Sequence, residues 1–332
     1  MLKKLNLVQN FLIFILLIFV FSTFSCTKSK NVIGISKIVA HPALDAVEKG
    51  IQDELAELGH ADLEYDLQNA NGDANTAKQI AIKFKSDKVK VAVGIATPTA
   101  QALVGTLEKI PVVFSAVTDP VGAGLITALE KGDKNVTGIS DMTPVKQQIE
   151  LLMKLKDIKA LGHVYTSSES NAVKLAEIAK KSCEELGINF IGTTVATSAE
   201  VKQAIETIIS KVDGIYVSTD NTVVSALGVI VDVAIKNNIP IMSADPSSAE
   251  KFDILTAWGF DYYKMGRATG KMVSEIMKGA DPDSMATRFM TDPSDVDLLI
   301  NLDVAEKLGI TFPQTIIDVA NKIVKDGQLT SK

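Results

Sequence analysis

The amino-acid sequence predicts an α/β protein with two lobes, each built around a parallel sheet. From residue 31 onward, short apolar runs alternate with amphipathic stretches of helical spacing, and this alternation occurs in two successive rounds. Strands that are separated by helices pair in parallel, and helices then cover both faces of the sheet. The length of 332 residues and the hydrophobic fraction of 46% are sufficient for two domains, each with its own core.

The first round of this pattern contains the elements of one lobe. Its predicted strands are short runs rich in β-branched residues, and its predicted helices place apolar residues three and four positions apart. The predicted strands are residues 32–35, 61–65, 89–95, 111–116 and 136–139, and the predicted helices are residues 43–58, 76–84 and 98–107.

The second round begins after a break near residues 141–144. No linker rich in Gly and Ser is present there, which predicts a short, hinge-like crossing between the lobes. The predicted strands are residues 161–165, 189–193, 214–217, 240–243 and 255–258, and the predicted helices are residues 171–186, 200–210, 222–236 and 263–277.

Capping residues mark the ends of the predicted helices. Four dipeptides place a capping side chain before a proline at the first helical position, and three glycines mark helix ends. The dipeptides are Thr97-Pro98, Asp119-Pro120, Thr143-Pro144 and Asp245-Pro246, and the glycines are Gly59, Gly187 and Gly279.

The N-terminal segment has the pattern of a secretory signal. Lys3 and Lys4 precede an unbroken apolar run over residues 11–21. This run is shorter than the roughly 20 apolar residues that a spanning helix needs. We therefore predict a signal peptide over residues 1–25, with an uncleaved anchor as the alternative.

Cys26 follows the small residues at the end of this segment and precedes a polar stretch. The arrangement resembles a bacterial lipoprotein signal, in which this cysteine is lipidated and becomes the first residue. Thr23 stands where such signals usually carry Leu. The prediction is a lipidated Cys26 and a tether over residues 26–31 that holds the lobes at a membrane surface. The alternative is an exported protein with a free Cys26 thiol.

Composition and motif searches exclude several functional classes. The formal net charge of −6 is opposite in sign to that of a typical nucleic-acid-binding protein. The chain contains neither a phosphate-binding loop of the G-x-x-x-x-G-K-[ST] type nor a G-x-S-x-G nucleophile elbow. His41, His60 and His163 are isolated and have no metal-ligand spacing. The sequence therefore predicts a protein without catalytic activity, metal or cofactor.

Polar residues cluster where the predicted strands end, which is the edge at which open parallel sheets bind ligands. Helix N-termini at this edge can hold an anion through free N–H groups, and hydroxyl groups can complete a carboxylate site. Carboxylate side chains suit an ammonium group, so both charges of an amino acid can be met. The hydroxyl residues are Thr97, Thr99, Ser115 and Ser168, and the acidic residues are Asp119, Asp141, Glu169, Asp220 and Asp245. Helix capping is the alternative role for each residue taken singly.

Five sequence motifs carry a family resemblance. They are residues 41–45 (HPALD), 96–101 (ATPTAQ), 114–120 (FSAVTDP), 218–222 (STDNT), and 259–263 (GFDYY) followed by Gly266. These motifs resemble those of the substrate-binding lipoproteins of ABC importers, and within that family the branch associated with tryptophan and other aromatic amino acids. The resemblance extends from about residue 32 to residue 312.

The resemblance implies a type I periplasmic-binding fold, in which two Rossmann-like lobes, joined by several crossovers, close on a ligand. It implies a first lobe over residues 32–142 with a return segment at about 262–282, and a second lobe over residues 143–261 with a segment at about 283–325. The ligand-facing loops would lie at His41, Thr97, Ser115 to Asp119, Ser140-Asp141, Ser168 to Asn171, Thr219 to Asn221 (with Asp220) and Asp245.

The resemblance also implies a function. A lipid-anchored, exported protein would capture a small amino acid, with aromatic ones favoured, and deliver it to the permease and ATPase of an ABC importer. Phe114 and Trp258 are candidates for an apolar slot, with core packing as their alternative role. A sensor lipoprotein, a binder of a sugar or nucleoside, a repressor-type regulator and an unrecognised enzyme are the competing interpretations.

Overall fold

The computed structural model describes residues 31–332, of which Val32–Lys332 form one compact unit. The predicted signal peptide, the lipidated Cys26 and most of the tether lie outside the described residues. Within residues 31–332, every helix is too short or too polar to cross a membrane.

The N-terminal part of the chain alternates strands and helices as predicted, with shifts of a few residues at the ends of elements. The second strand begins later than predicted because residues 61–62 form a turn. The elements are β1 (Val32–Lys37), α1 (Pro42–Glu57), β2 (Glu64–Asn69), α2 (Ala74–Asp87), β3 (Val91–Ile95), α3 (Thr97–Val104), β4 (Val112–Val117) and β5 (Val136–Ser140).

The predicted helix start at Asp119-Pro120 is wrong. Asp119 instead opens a turn, in which its Oδ1 accepts a hydrogen bond of 2.8 Å from the Gly122 N–H. Gly124 then adopts a positive φ of 71°, a conformation that ends a turn and that glycine adopts without steric cost.

The middle of the chain forms a second α/β unit. It includes a helix after Thr143-Pro144, a dipeptide that predicted a helix start although no range was predicted for that helix. The elements are α4 (Val145–Leu155), β6 (Ala160–Thr166), α5 (Ser170–Leu186), β7 (Asn189–Val195), α6 (Val201–Ile208), β8 (Gly214–Val217), α7 (Asn221–Ser225), α8 (Leu227–Lys236), β9 (Ile241–Ser243), α9 (Pro246–Ala249) and β10 (Thr256–Phe260).

The C-terminal part of the chain contributes to both units. Hydrophobic periodicity did not indicate its strands. The elements are α10 (Tyr262–Met277), β11 (Arg288–Phe289), β12 (Val296–Asn301), α11 (Leu302–Lys307), α12 (Gln314–Val319), β13 (Lys322–Lys325) and β14 (Gln328–Ser331).

The strands form two sheets, and each sheet with its helices is called a lobe below. The first sheet has the order β11-β5-β4-β3-β1-β2, and all of its strands are parallel. The second has the order β14-β13-β12-β10-β9-β8-β6-β7. It is parallel except where β12 pairs with β10 and where β14 pairs with β13. The predicted α/β class with two parallel-rich sheets is confirmed.

The chain crosses between the lobes after β5, after β10 and after β11. Helix α10 returns to the first lobe, where Met265, Met272 and Val273 join its core. Strand β11 pairs with β5, so the chain leaves the first sheet only after Phe289. Two further apolar clusters cover the second sheet. Because all three crossovers are short, the lobes can rotate about them without unfolding.

Helices α1 and α10 touch through their backbones. A Cβ atom added at Gly266 would lie 2.2 Å from the carbonyl oxygen of Val47, and one added at Gly50 would lie 2.3 Å from that of Tyr263. Arg267 of α10 also forms an ion pair with the buried Glu54 of α1. This packing fixes the position of α1, whose N-terminus reaches the site described next.

Candidate ligand-binding site

A cavity lies between the two lobes, at the carboxyl ends of their strands. Its walls come from the ends of β1, β4 and β5 of the first sheet and the loops after them, from the loops that follow β6, β8 and β9 of the second, and from the start of α10. The first lobe supplies His41, Ala43, Leu44, Ala116, Thr118, Asp141 and Tyr262, and the second supplies Asn171, Thr219, Asp220, Asn221, Val224 and Asp245.

Several buried polar atoms of these walls have no hydrogen-bond partner in the described part of the chain. They are both ring nitrogens of His41, Oδ1 of Asn171, Oγ1 of Thr219 and Oδ2 of Asp245. Leaving such an atom unsatisfied costs about 1–3 kcal/mol, and more if it is charged. Protein interiors rarely tolerate several of them together unless water or a ligand satisfies them. The cavity is therefore built to receive a polar molecule.

Asp245 has two distinct oxygens. Oδ1 accepts a hydrogen bond of 3.1 Å from the Ser248 N–H and so caps α9. Oδ2 has no partner, and the residue is 1% exposed. Capping thus fixes the orientation of the carboxylate, and its free oxygen remains available to a cation.

Asp220 is held more tightly by the protein. Its carboxylate accepts hydrogen bonds from the N–H and hydroxyl of Thr166, at 2.6 and 2.8 Å, and from the Val223 N–H at 3.0 Å. Burial raises the pKa of Asp220 to about 7, and the charge of Glu169 adds to the rise. Asp220 therefore joins β6 to α7 and shapes the cavity wall.

Glu169 lies behind this wall and positions Asn221. The Asn221 Nδ2 donates to Glu169 Oε2 at 2.5 Å, and the Thr222 hydroxyl donates to Oε1 at 2.7 Å. Nearby, Asn171 Nδ2 donates to the Thr219 carbonyl at 3.2 Å, which leaves Asn171 Oδ1 free. Asn171 and Asn221 are thus held in place by other polar groups of the second lobe.

Asp141 occupies the wall on the first lobe. Its Oδ1 accepts from the Thr118 hydroxyl at 3.2 Å, and its Oδ2 accepts from the Tyr262 hydroxyl at 3.1 Å. Burial raises the pKa of Asp141 to about 6. Burial also raises the pKa of Tyr262, and the charge of Asp141 adds to that rise. The Asp141–Tyr262 bond connects the first and second crossovers.

His41 and the start of α1 form the remaining wall of the first lobe. Burial lowers the pKa of His41, against the opposing effect of the Asp245 charge, so the imidazole is neutral at pH 7. A neutral imidazole offers one donor and one acceptor. The first N–H groups of an α-helix have no intrahelical partner, and at α1 they belong to Ala43 and Leu44, which line the cavity. Donors for an anion are therefore present without a basic side chain.

Ala116 lies on the same wall in a left-handed conformation, with φ of 55°. It falls within an irregularity of the β4–β5 pairing between Phe114 and Val117. A non-glycine residue in this region is strained by about 1–3 kcal/mol, and such strain is concentrated at functional sites.

Of the residues predicted from sequence, seven line the cavity: His41, Asp141, Asn171, Thr219, Asp220, Asn221 and Asp245. Three others are buried in the first lobe. The Thr99 hydroxyl donates to the Ile95 carbonyl at 2.7 Å, and Ser115 is bonded to Thr269 at 2.7 Å. The hydroxyl of Thr97 has no partner, but the residue is not part of the cavity wall.

Asp119 and Ser168 line a separate, open groove at the edge of the interlobe cleft. The candidate aromatic residues are also elsewhere. Phe114 is fully buried and packs against Gly138, and Trp258 packs in a core cluster of the second lobe. Sequence reasoning missed Tyr262, although it directly follows Asp261 at the end of β10, a position that could have indicated it.

The two remaining histidines and the buried cysteine lie outside the cavity wall. His163 is bonded through Nδ1 to the Tyr216 carbonyl, and burial lowers its pKa to about 4. His60 is bonded to Ser274, and Cys183 is buried. Within residues 31–332, no group of three His, Cys, Asp or Glu side chains is arranged to hold a metal ion.

One ion pair joins the lobes at the edge of the cleft, between Asp119 and Lys174, at 3.1 Å. Exposed pairs of this kind contribute about 0.2–1 kcal/mol.

We expect Lys174→Met to accelerate ligand dissociation by up to about fivefold in low salt, with the difference lost in high salt. Stopped-flow dissociation measures this effect. Lys146→Met is the matched control, because Lys146 pairs with Glu185 within one lobe. Equal rates for both variants would contradict a role in closure.

The titration of Asp141 makes stability depend on pH. Between its unfolded pKa of 3.8 and its folded pKa of about 6, the folded protein holds a proton that the unfolded chain has lost. Stability therefore falls as pH rises through this range, by on the order of 3 kcal/mol. Urea denaturation at pH 4.5 and 7.5 tests this, because Asp141→Asn should remove that part of the loss. The same pH dependence in both proteins would contradict the assignment.

Comparisons with known proteins agree with this geometry. Residues 32–324 match the family described as ABC transporter substrate binding protein. A tyrosine-binding protein of Clostridioides difficile (strain R20291) is 37% identical over 291 residues, which cover 85% of this chain and 82% of the relative. The fold is shared with more distant binding proteins of the type I periplasmic class and with the lac repressor.

Two solved structures differ in state. The domain from Streptococcus pneumonia in complex with L-Trp is 34% identical, has a TM-score of 0.84 and covers 89% of this chain and 100% of its own. The ligand-free, open structure of a substrate binding protein with adhesive properties from Clostridium difficile is 36% identical. It has a TM-score of 0.64 and covers 85% of this chain and 96% of its own. At similar identity, the fold of this chain superposes better on the ligand-bound structure than on the open one.

The predicted absence of catalytic activity agrees with these relatives, which are binding proteins rather than enzymes. The match over residues 32–324 includes the first lobe, the second lobe as far as β13, and every residue of the cavity wall. This chain therefore belongs to the family of ABC transporter substrate-binding proteins.

Proposed function

We propose that this protein binds an amino acid, preferentially an aromatic one, in the cavity between its lobes and delivers it to the permease of an ABC importer. The observation that carries the proposal is the set of unpartnered buried polar atoms on His41, Asn171, Thr219 and Asp245. These atoms combine acceptors for an ammonium group with donors for a carboxylate.

The two charged ends of an amino acid have separate partners in this proposal. Asp245 Oδ2 and Asn171 Oδ1 are acceptors in the second lobe and suit the ammonium group. The Thr219 hydroxyl, a donor nitrogen of His41 and the first N–H groups of α1 suit the carboxylate. The ligand would thus have partners in both lobes, so that binding stabilises their closure.

The preference for an aromatic side chain rests on the relatives and on the apolar part of the wall. A relative is named a tyrosine-binding protein, and a similar structure holds L-Trp. In this chain, Leu44, Val224 and the ring of Tyr262 line the cavity beside the polar atoms. An aromatic side chain buried against them would gain more from the hydrophobic effect than a small one would.

The test is a thermal-shift screen of the purified protein against the twenty amino acids, followed by calorimetry on those that bind. We expect Tyr, Trp or Phe at 100 times the dissociation constant to stabilise the protein by about 2.7 kcal/mol. Glucose and a nucleoside serve as controls for the other solute classes. Stabilisation by either of these, and by no amino acid, would overturn the proposal.

We propose further that the protein is exported and held at the membrane by a lipid on Cys26. The support is the sequence pattern of residues 1–26 and the general role of this family in import. Cell fractionation of the wild type and of Cys26→Ser tests this part. We expect the wild type in the membrane fraction and the variant in the soluble fraction; membrane retention of Cys26→Ser would indicate an uncleaved anchor instead.

A further inference from the structure

A β-bulge at the end of β4 places Ala116 on the cavity wall. Phe114 pairs with Gly138 and Val117 pairs with Ser140, so β4 has one residue more than β5 between the two pairs. An extra residue of this kind changes the direction of a side chain, and bulges are concentrated next to functional sites. Ala116 lies inside this bulge and is part of the cavity wall.

The backbone conformation of Ala116 is one that glycine normally occupies. Its φ is 55°, and the left-handed residue of a bulge is usually glycine. The Cβ atom of an alanine in this conformation is crowded by its own backbone, whereas glycine has no Cβ atom and adopts the conformation freely. The protein therefore holds a methyl group at a position where that group opposes folding.

The residues on either side of Ala116 are fixed by hydrogen bonds. The Ser115 side chain is bonded to that of Thr269 in α10 at 2.7 Å, and the Val117 carbonyl accepts from the Asp141 N–H at 3.3 Å. The end of β4 thus has little freedom to move away from a ligand. In a site that is packed this closely, one methyl group changes the shape of the space that a ligand can fill.

Ala116 adds an apolar group to the wall, as do Ala43, Leu44, Val224 and the ring of Tyr262. The buried polar atoms of the wall that lack a partner belong to other residues. Contacts with apolar groups are not directional, so they select a ligand by its size and shape. The apolar side chain of a ligand is therefore the part that a methyl group at this position discriminates.

We propose that Ala116 determines specificity, because its methyl group limits the size of the ligand side chain that the cavity accepts. This inference rests on the proposed function and adds the residue that distinguishes one aromatic amino acid from another. Glycine at this position would be free of strain, but it would enlarge the cavity by the volume of the methyl group. The strain at Ala116 is the energetic cost of keeping the cavity small.

Ala96 provides a matched control in the same lobe. It follows β3, and its N–H donates to the Ser115 carbonyl at 2.9 Å, so it lies beside the bulge. Its φ is 77° and it is buried, as Ala116 is, but it is not part of the cavity wall. Ala96→Gly therefore relieves the same kind of strain at the same edge of the sheet and leaves the cavity wall unchanged.

The experiment is calorimetric titration of the wild type, Ala116→Gly and Ala96→Gly with phenylalanine and tryptophan. One carbon atom more or less in an apolar pocket changes discrimination by about tenfold or more. We expect the affinity for tryptophan relative to that for phenylalanine to rise about tenfold in Ala116→Gly. In Ala96→Gly we expect this ratio to change by less than about twofold.

Each other outcome would overturn the inference. An unchanged or lowered ratio in Ala116→Gly would do so while leaving the proposed function intact. An equal rise in both glycine variants would mean that backbone flexibility, and not the methyl group, sets the preference. If the wild type bound no aromatic amino acid, both the inference and the proposed function would fail.

Ala116→Asn tests the same limit in the opposite direction. Asparagine adopts a positive φ more readily than other residues with a Cβ atom, and its side chain is larger than a methyl group. We expect the ratio of tryptophan to phenylalanine affinity to fall by about tenfold in this variant. An equal loss of affinity for the two amino acids would contradict a limit on size.

Urea denaturation separates a role in binding from a role in packing. Because glycine carries no left-handed strain, we expect the unfolding midpoint of Ala116→Gly to be equal to that of the wild type or higher. A lower midpoint would show that the methyl group stabilises the core of the first lobe, and this result would overturn the inference.

Discussion

Asparagine in place of Asp245 is expected to weaken amino-acid binding by about 100-fold, with little loss of stability. Oδ2 of this buried carboxylate is the charged acceptor in the cavity that has no partner in the protein. A hydrogen bond to a charged group contributes about 1.5–3 kcal/mol, which corresponds to roughly 10- to 150-fold in affinity. Asparagine caps a helix as well as aspartate does, so α9 keeps its cap and the charge alone is lost. Calorimetric titration at pH 7.5 measures the effect.

Asp261→Asn is the matched control for this experiment. Asp261 caps α10 by accepting from the Lys264 N–H, as Asp245 caps α9, but it is not part of the cavity wall. Its replacement should change neither affinity nor stability by more than a small factor. If Asp245→Asn and Asp261→Asn bound the ligand equally well, Asp245 would be a capping residue only.

The second large effect is expected on stability, from Gly266→Val. The new Cβ would lie 2.2 Å from the Val47 carbonyl oxygen, an impossible approach to backbone rather than to a flexible side chain. Helices α1 and α10 would have to separate, which exposes Val47, Ile51 and Met265 of the first core. Overpacking of cores typically costs about 1–3 kcal/mol, and a clash with backbone places this site at about 3 kcal/mol or above. Urea denaturation measures the loss.

Lys271→Val introduces the same side chain on the exposed face of the same helix. It should cost less than about 1 kcal/mol, because valine there changes only helix propensity and surface contacts. An equal loss in the two variants would mean that the contact between α1 and α10 is not as tight as its geometry indicates. A weakened ligand affinity in a folded Gly266→Val protein would show that the contact also positions the start of α1.

Local chemistry explains how much of the fold could be predicted. The alternation of strands and helices is encoded in hydrophobic spacing, and the cap at Asp245 was identified because its neighbours favour a helix start. Asp119-Pro120 has the same sequence signal but precedes glycines, and the chain turns there instead. The antiparallel direction of strand β12 could not be predicted, because the direction of a strand depends on the path of the chain and not on the residues of the strand.

The candidate site was predictable to a similar extent. The carboxyl ends of parallel strands meet at one edge of a sheet, and this rule alone brought forward Asp141, Asp220 and Asp245. Which of them is left with a free oxygen depends on distant partners, such as the Thr166 groups that satisfy Asp220. Thr99 follows the same rule, yet its hydroxyl bonds to its own preceding turn. Sequence identifies the edge, and tertiary packing decides which side chains face the cavity.

The first lobe is built from two separate segments of the chain, because α10 and β11 return to it after the strands β6 to β10 of the second lobe. This arrangement affects the order in which the protein can fold. During synthesis from the N-terminus, strands β6 to β10 are all available before α10 and β11 leave the ribosome. A chain that ended after β10 would expose the face of α1 carrying Val47 and Ile51, which α10 covers in the finished protein. Such a truncated product would expose an apolar surface and would be prone to aggregation and proteolysis. Residues 262–332 are therefore needed before the first lobe can be completed, because the cavity wall at His41 depends on α10, which is made late.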